Sequence, residues 1–210
     1  MKWSNRTKRS FFLVIGIALC FVVLGTSVFA AALSDSQRDD YYAQYLQIAE
    51  EVNDLKLGCE VNVVPKDQIA ENDWVTPEEF RTLAEDMAQT ECIPNRPEDL
   101  GEVSPRSAMD VSETAKIKND SASATIKISG TFATQLSEYR LRQLIEGVSS
   151  VSSAKSSGAG TWEPIGSEYL INDGGRTCTI YTSGKYTVGA VSVNTVASAE
   201  FYCSIEGKIS

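Results

Sequence analysis

The stretch DGGRTCTIYTSGKYTVGAVSV, residues 173–193, decides the fold class because its polar and apolar side chains alternate. A period of two is typical of a β-strand with one buried face. The triplet Asp173-Gly174-Gly175 is a strong hairpin-turn signal, and Ser183-Gly184 is a second turn signal. The pattern therefore predicts several short strands: 124–129, 162–171, 176–182, 185–193 and 199–205.

Two neighbouring stretches are less regular. Residues 139–148 fit both a helix and a strand, and the β-rich residues around them favour a strand. Residues 148–160 are rich in Ser and Gly, which predicts a flexible loop. About six or seven short strands in residues 124–210, with inward-facing Cys178 and Cys203, favour an immunoglobulin-like antiparallel β-sandwich.

Residues 33–100 have a different, helical period and form a predicted acidic helical unit. Five apolar or aromatic residues recur at spacings of four and three, which predicts an amphipathic helix over about 36–57. They are Tyr41, Tyr45, Ile48, Val52 and Leu55. A second helix begins after Thr76, with Pro77 at its first position and Glu79 at its third. The expected fold class is α+β, a disulfide-linked two-helix unit followed by the β-sandwich.

A linker is predicted between the two parts, over residues 101–123. It contains Gly101, Pro105 and many charged residues, a composition typical of a surface segment. Residues 110–120 are compatible with either a short exposed helix or a strand. The triplet Asn119-Asp120-Ser121 matches an N-glycosylation sequon, which matters only in a eukaryotic host.

The first 32 residues predict export. A basic start with Lys2, Arg6, Lys8 and Arg9 precedes the apolar run 11–32, whose Ala-rich end suits signal-peptidase cleavage. The alternative is an uncleaved membrane anchor, because about twenty apolar residues are enough to span a bilayer. We expect a signal peptide, and a secreted, extracellular or cell-surface location for the remaining chain.

Four cysteines lie beyond the signal segment. An even number in an exported chain predicts disulfides, although four cysteines allow three connectivities. Two cysteines in each part favour Cys59–Cys92 and Cys178–Cys203. A simple three-strand meander would place Cys178 and Cys203 two strands apart, beyond disulfide reach. The second bridge therefore requires that their strands be neighbours, or that one strand cross to a second sheet.

Composition excludes several function classes. The formal net charge of −9 argues against nucleic acid and anionic lipid as partners, so membrane contact is expected only through an uncleaved signal segment. The chain has no histidine, which excludes Ser-His-Asp and Cys-His catalysis and most catalytic zinc sites. We expect no cofactor and no metal site. A carboxylate-dependent, glycosidase-like hydrolase using Glu163, Glu168 or Glu200 is one alternative, and a structural envelope protein is another.

The leading hypothesis is a non-catalytic binding protein that is not an enzyme. Its partner is expected to be a cell-wall carbohydrate or an extracellular protein, bound through aromatic side chains of the β part. The candidate binding residues are Trp162, Tyr169, Tyr181, Tyr186 and Tyr202. Alternatively, Trp162 and Tyr186 are core residues.

The C-terminal part also resembles a known kind of domain. The segments ATIKISGT, GTWEPIGS, GKYTVGAVSV and AEFYCSIEGKI occur in that order within residues 122–210. They are similar to small β-sandwich domains of exported Gram-positive bacterial proteins of unknown function. The resemblance implies an exported location and a β-sandwich fold, and it implies no active site. The cysteine pair and the acidic helical part depart from that pattern.

Overall fold

The computed structural model describes residues 33–94 and 109–210. The predicted signal peptide and residues 101–108 of the predicted linker lie outside this part of the chain. The described elements are α1 Asp35–Asp54, β1 Val61–Val63, two 3-10 turns at Lys66–Gln68 and Glu71–Asp73, α2 Pro77–Ala88, β2 Glu91–Pro94, β3 Met109–Lys118, β4 Ser123–Ser137, β5 Arg142–Gly158, β6 Thr161–Asn172, β7 Thr177–Val188 and β8 Val191–Tyr202. In these two ranges, no helix is both long enough and apolar enough to span a bilayer.

The strands form two four-stranded antiparallel sheets. One sheet has the order β1-β8-β7-β6 and the other has the order β2-β3-β4-β5. The α+β class, with two N-terminal helices and antiparallel sheets, is therefore confirmed. The Phe132 ring on β4 lies 4.8 Å from the Phe201 ring on β8, so side chains of the two sheets share one core.

The connectivity differs from the predicted immunoglobulin-like one. Strands β3-β4-β5 pair in chain order, and so do β6-β7-β8. Immunoglobulin domains instead interleave their strands through Greek-key connections. One sheet is the meander β2-β3-β4-β5, and the other is the meander β6-β7-β8 with β1 beside β8, so the immunoglobulin-like topology is wrong. The alternation of the sequence predicts strands but does not predict which strands pair.

Both helices begin with a capping box. Ser34 accepts from the Gln37 backbone N–H while the Gln37 side chain accepts from the Ser34 backbone N–H, a complete capping box. Thr76 and Glu79 form the second capping box, with Pro77 at the first helical position. The buried stripe of α1 includes the predicted Tyr45, Ile48 and Val52. The helix ends at Asp54, which leaves Leu55 exposed.

The helical part contributes one strand to each of the two sheets. Strand β1 pairs with β8, and β2 pairs with β3. Tyr45 of α1 stacks on Phe80 of α2 at 4.0 Å, within the same core cluster as the sheets. The described residues, 33–94 and 109–210, group as one compact unit. Two helices bury too little apolar surface by themselves, so they share the core of the sheets.

Within the predicted linker, Met109–Lys118 is strand β3, which is the strand alternative for residues 110–120. Two local predictions are wrong. The predicted Ser- and Gly-rich loop is most of strand β5. Small hydroxyl residues are accepted there because β5 pairs with β4 from Arg142 to Gly158, with register shifts. The pair Ser183-Gly184 continues β7, and the chain turns instead at Gly189, whose φ is +56°.

Two other local predictions agree with the structure. The turn at Asp173-Gly174-Gly175 is confirmed, since all three residues have positive φ values. Of the ambiguous stretch 139–148, the predicted strand is present from Arg142 onward, after a turn.

No disulfide joins the four cysteines within the described ranges. Cys178 lies opposite Phe201 in the β7–β8 ladder, and Cys203 directly follows β8, so the two cysteines are diagonal neighbours offset by two residues. Such diagonal neighbours are about 7–8 Å apart. That separation exceeds the usual Cα distances of a disulfide. Cys59 Sγ lies 3.7 Å from the carbonyl oxygen of Thr90, two residues before Cys92.

Candidate functional site

Two of the five aromatic candidates are core residues. Trp162 is 9% exposed and packs on Gly184, while its indole N–H donates to Ser153 Oγ at 3.0 Å. Tyr186 is fully buried, and its hydroxyl donates to the Ala159 carbonyl at 3.3 Å. Burial raises the pKa of Tyr186. Neither ring is available to stack on a ligand.

The other three tyrosines are accessible but do not form one aromatic patch. Tyr169 on β6 is 44% exposed. Tyr181 is half-buried on β7, and Tyr202 is half-buried at the end of β8. Tyr169 lies opposite Ile180 and Tyr181 lies opposite Glu168, so these two rings are on opposite faces of one sheet. Tyr202 lies at the end of β8, where its backbone N–H and carbonyl pair with Ser210.

Strand β6 is the least protected strand of its sheet. It ends the order β1-β8-β7-β6, and within the described ranges no strand pairs with its second edge. All residues from 163 to 170 are exposed, on both faces of the strand. They include Ile165 at 63% and Leu170 at 54% exposure. The free backbone groups of such an edge can pair with another chain.

The two halves of β6 differ in how far their edge is blocked against pairing with another chain. Pro164 and a register shift between Pro164 and Gly166 interrupt the first half, and proline and bulges are features that block edge pairing. From Ser167 to Asn172 the strand pairs regularly with β7. This second half, residues 167–172, is called the open edge below.

A small cleft borders the open edge on the outer face of the sheet. It has a volume of about 190 Å³ and is lined by Ser167, Glu168, Tyr181, Ser183 and Val196. The Glu168 carboxylate and the Ser183 hydroxyl lie there beside an aromatic ring and an aliphatic side chain. This chemistry suits a cationic group carried on an apolar stem.

A larger cleft begins at the other face of the open edge. Tyr169 and Ile171 face the core side, since their ladder partners are Ile180 and Cys178. Ile171 lines a cleft of about 530 Å³ between the β4–β5 hairpin and the β6–β7 turn. Its lining residues are Gln135, Leu136, Ser137, Leu144, Ile145, Glu146, Ile171, Gly174 and Gly175. Arg140 Nη1 donates to the Gly174 carbonyl at 3.1 Å and holds the hairpin against the turn.

The candidate carboxylates of the hydrolase alternative are not brought together in one cleft. Glu168 and Glu200 lie on opposite sides of β7, so about 10 Å or more separates their backbones. Glu163 lies opposite Lys185 near the far end of β6, and only Glu168 lines a described cleft. A third cleft, of about 270 Å³ beside α1 and α2, also contains a single carboxylate, Glu78.

Sequence reasoning missed one unusual carboxylate. Glu113 lies opposite Ile128 on the core-facing side of β3, and burial raises its pKa. The signal was present in the sequence: Glu113 occupies the apolar phase of the alternation that continues through Ala115 and Ile117. Over the two described ranges no three acidic, cysteine or histidine side chains group as metal ligands.

The glycosylation sequon has a structural explanation. Asn119 is buried in the β3–β4 turn, where its Oδ1 accepts from the backbone N–H groups of Ser121 and Ala122. Its Nδ2 donates to Thr90 Oγ1 at 3.1 Å. These contacts leave no room for a glycan on this amide.

Comparisons with family models, with curated proteins and with solved structures give no match for this chain. The open edge and its two clefts are the features of this structure that bear on function.

Proposed function

We propose that this chain is an exported, secreted or cell-surface binding protein that acts without catalysis and captures another extracellular protein. The partner adds an extended segment to the open edge of β6. The observation that carries the proposal is the exposure of residues 167–170, within the open edge, on both faces of an edge strand. Strand addition of this kind gives affinity through backbone hydrogen bonds and specificity through pockets for alternate side chains.

Several observations favour a protein partner over the alternatives. A carbohydrate-binding platform needs accessible rings side by side, whereas Trp162 and Tyr186 are buried and Tyr169 and Tyr181 face opposite ways. A two-carboxylate hydrolase needs its carboxyl groups about 5–9.5 Å apart in one cleft. Each of the three clefts contains one carboxylate. A purely structural role in the envelope does not explain why one strand edge is exposed.

The proposal includes export directed by residues 1–32 and one disulfide, Cys59–Cys92. Cys59 Sγ already lies near the Thr90 carbonyl, and Cys92 follows two residues later. Both cysteines are only partly buried, so an oxidant can reach them. The bridge would tie the end of α1 to β2 and stabilise the folded chain by about 2–4 kcal/mol.

Phage display tests the proposal. Random octapeptides are selected on the immobilised chain from Leu33 onward, and the affinities of the selected peptides are measured by fluorescence anisotropy. Leu170→Ser removes an exposed side chain of the open edge, and Leu55→Ser is the matched control, because the two leucines are 54% and 58% exposed. We expect weaker binding to the Leu170→Ser variant only. Equal affinity for both variants would contradict a site on β6.

Co-sedimentation with cell walls and insoluble polysaccharides tests the carbohydrate alternative. A carbohydrate partner would be indicated by two results together. The chain would bind the polysaccharide saturably, with the binding lost in Tyr169→Ala, and none of the selected peptides would bind the chain.

A further inference from the structure

We infer that the partner segment alternates basic and apolar residues, with Lys or Arg side chains facing Glu168 and apolar side chains facing Tyr169 and Ile171. This inference rests on the proposed function and names the chemistry of its partner. It follows from the different character of the two faces of the open edge.

The ladder with β7 fixes which residues share a face. Glu168 lies opposite Tyr181 and Leu170 opposite Thr179, on the outer face of the sheet. Tyr169 and Ile171 lie on the core-facing side. Successive side chains of an added strand also point to opposite faces. Every second partner residue therefore lies on the outer face, where Glu168 lines the small cleft, and the others lie on the core-facing side, where Ile171 lines the larger cleft.

The outer face selects a cation. No salt bridge involves Glu168 within the described ranges, whereas Glu163 has Lys185 directly opposite. Tyr181 and Val196 beside Glu168 offer apolar surface for the methylene stem of a Lys or Arg side chain. The carboxylate and the ring then both attract its charged end.

The core-facing side selects apolar residues. Tyr169 is 44% exposed although it points toward the core side, so the space beside it is not filled by the protein itself. The 530 Å³ cleft beyond Ile171 includes Leu136, Leu144 and Ile145. An apolar side chain placed there removes these surfaces from water.

Charge also separates this partner from a second copy of the chain. The chain has a net charge of −9, which attracts basic partners and repels acidic ones. A second copy paired through its own open edge would bring a second uncompensated Glu168 to the same interface. A basic, alternating segment of a different protein removes that conflict.

Three acetylated and amidated octapeptides test the inference by fluorescence anisotropy, each titrated into the chain from Leu33 onward. One alternates Val and Lys, one alternates Val and Glu, and one has the Val and Lys residues in two blocks. We expect the alternating Lys peptide to bind most tightly and to weaken with added salt. Glu168→Lys should weaken it by about tenfold and favour the Glu peptide. Glu168→Gln should give an intermediate loss, and Glu163→Lys is the matched control that should change little.

The outcomes separate the two proposals. Equal binding of the Lys and Glu peptides to the unmodified chain, unaffected by Glu168→Lys, would overturn the basic partner and leave strand addition standing. Equal binding of the alternating and block Lys peptides would overturn the alternation. Absence of binding by all three peptides, together with failure of the peptide selection, would overturn strand addition itself.

Discussion

Trp162 packs directly on Gly184: a Cβ atom at residue 184 would come within 2.3 Å of the indole Cζ2. The two residues belong to neighbouring strands of one sheet, and the glycine makes space for the ring on the core-facing side. The most prominent aromatic candidate of the sequence is therefore a packing residue, and its substitution should affect stability first.

Trp162→Ala should lower the free energy of unfolding by about 3–5 kcal/mol, because it removes a buried indole and leaves a cavity. Ser153→Ala, which removes only the acceptor of the indole N–H, should cost about 1 kcal/mol. Urea unfolding followed by circular dichroism measures both. If Trp162→Ala kept full stability, the packing described for this ring would be wrong.

Gly184→Ala should destabilise the protein by about 1–3 kcal/mol, because the added methyl group collides with the indole ring. Gly147→Ala is the matched control, since a Cβ at residue 147 meets no atom within 4 Å. Thermal unfolding of the two variants compares them. A similar melting temperature for both would show that the Trp162 ring lies elsewhere.

Asn119→Ala should cost about 1–3 kcal/mol, because the buried backbone N–H groups of Ser121 and Ala122 lose their acceptor. Asp120→Ala, at an exposed neighbouring position, should cost little. Urea unfolding measures both. Intact-mass spectrometry after expression in a eukaryotic secretory host should show no glycan on Asn119. A glycosylated and fully stable protein would contradict the structural role of this amide.

The stability of the reduced protein should fall as pH rises above 9. Burial raises the pKa of the Cys178 thiol from 9.0 to about 11. Between these values the unfolded chain loses the thiol proton while the folded chain keeps it, so unfolding becomes easier as pH rises. The full shift corresponds to about 2–3 kcal/mol. Urea midpoints between pH 8 and 11 measure the effect. Cys178→Ala should show a smaller fall, and an identical profile would exclude this thiol as a cause.

The sequence predicts local structure better than it predicts pairing. Capping residues and helical spacing give both helices, because their determinants lie within a few residues of each other. Ser183-Gly184 carries a turn signal that the structure overrides, since Gly184 is needed beneath Trp162 in a continuous strand. The small residues of β5 carry a loop signal, and only their pairing with β4 makes them a strand.

The candidate site was only partly predictable for the same reason. Alternation along β6 places Tyr169 and Glu168 on different faces, which the sequence shows. The order of the strands decides two further features of the site. It places β6 at the end of its sheet, and it brings Ile171 and Leu144, from different sheets, into one cleft. The sequence does not contain that order in any local pattern.

The most direct test of the account is an amide chemical-shift map of the chain from Leu33 onward, titrated with the alternating Val-Lys octapeptide. Strand addition predicts that the amides of residues 167–172 and their neighbours on β7 shift most, and that the β6 amides gain protection from hydrogen exchange. Shifts confined to α1, α2 or β5, with the β6 amides unchanged, would contradict a binding site on the open edge.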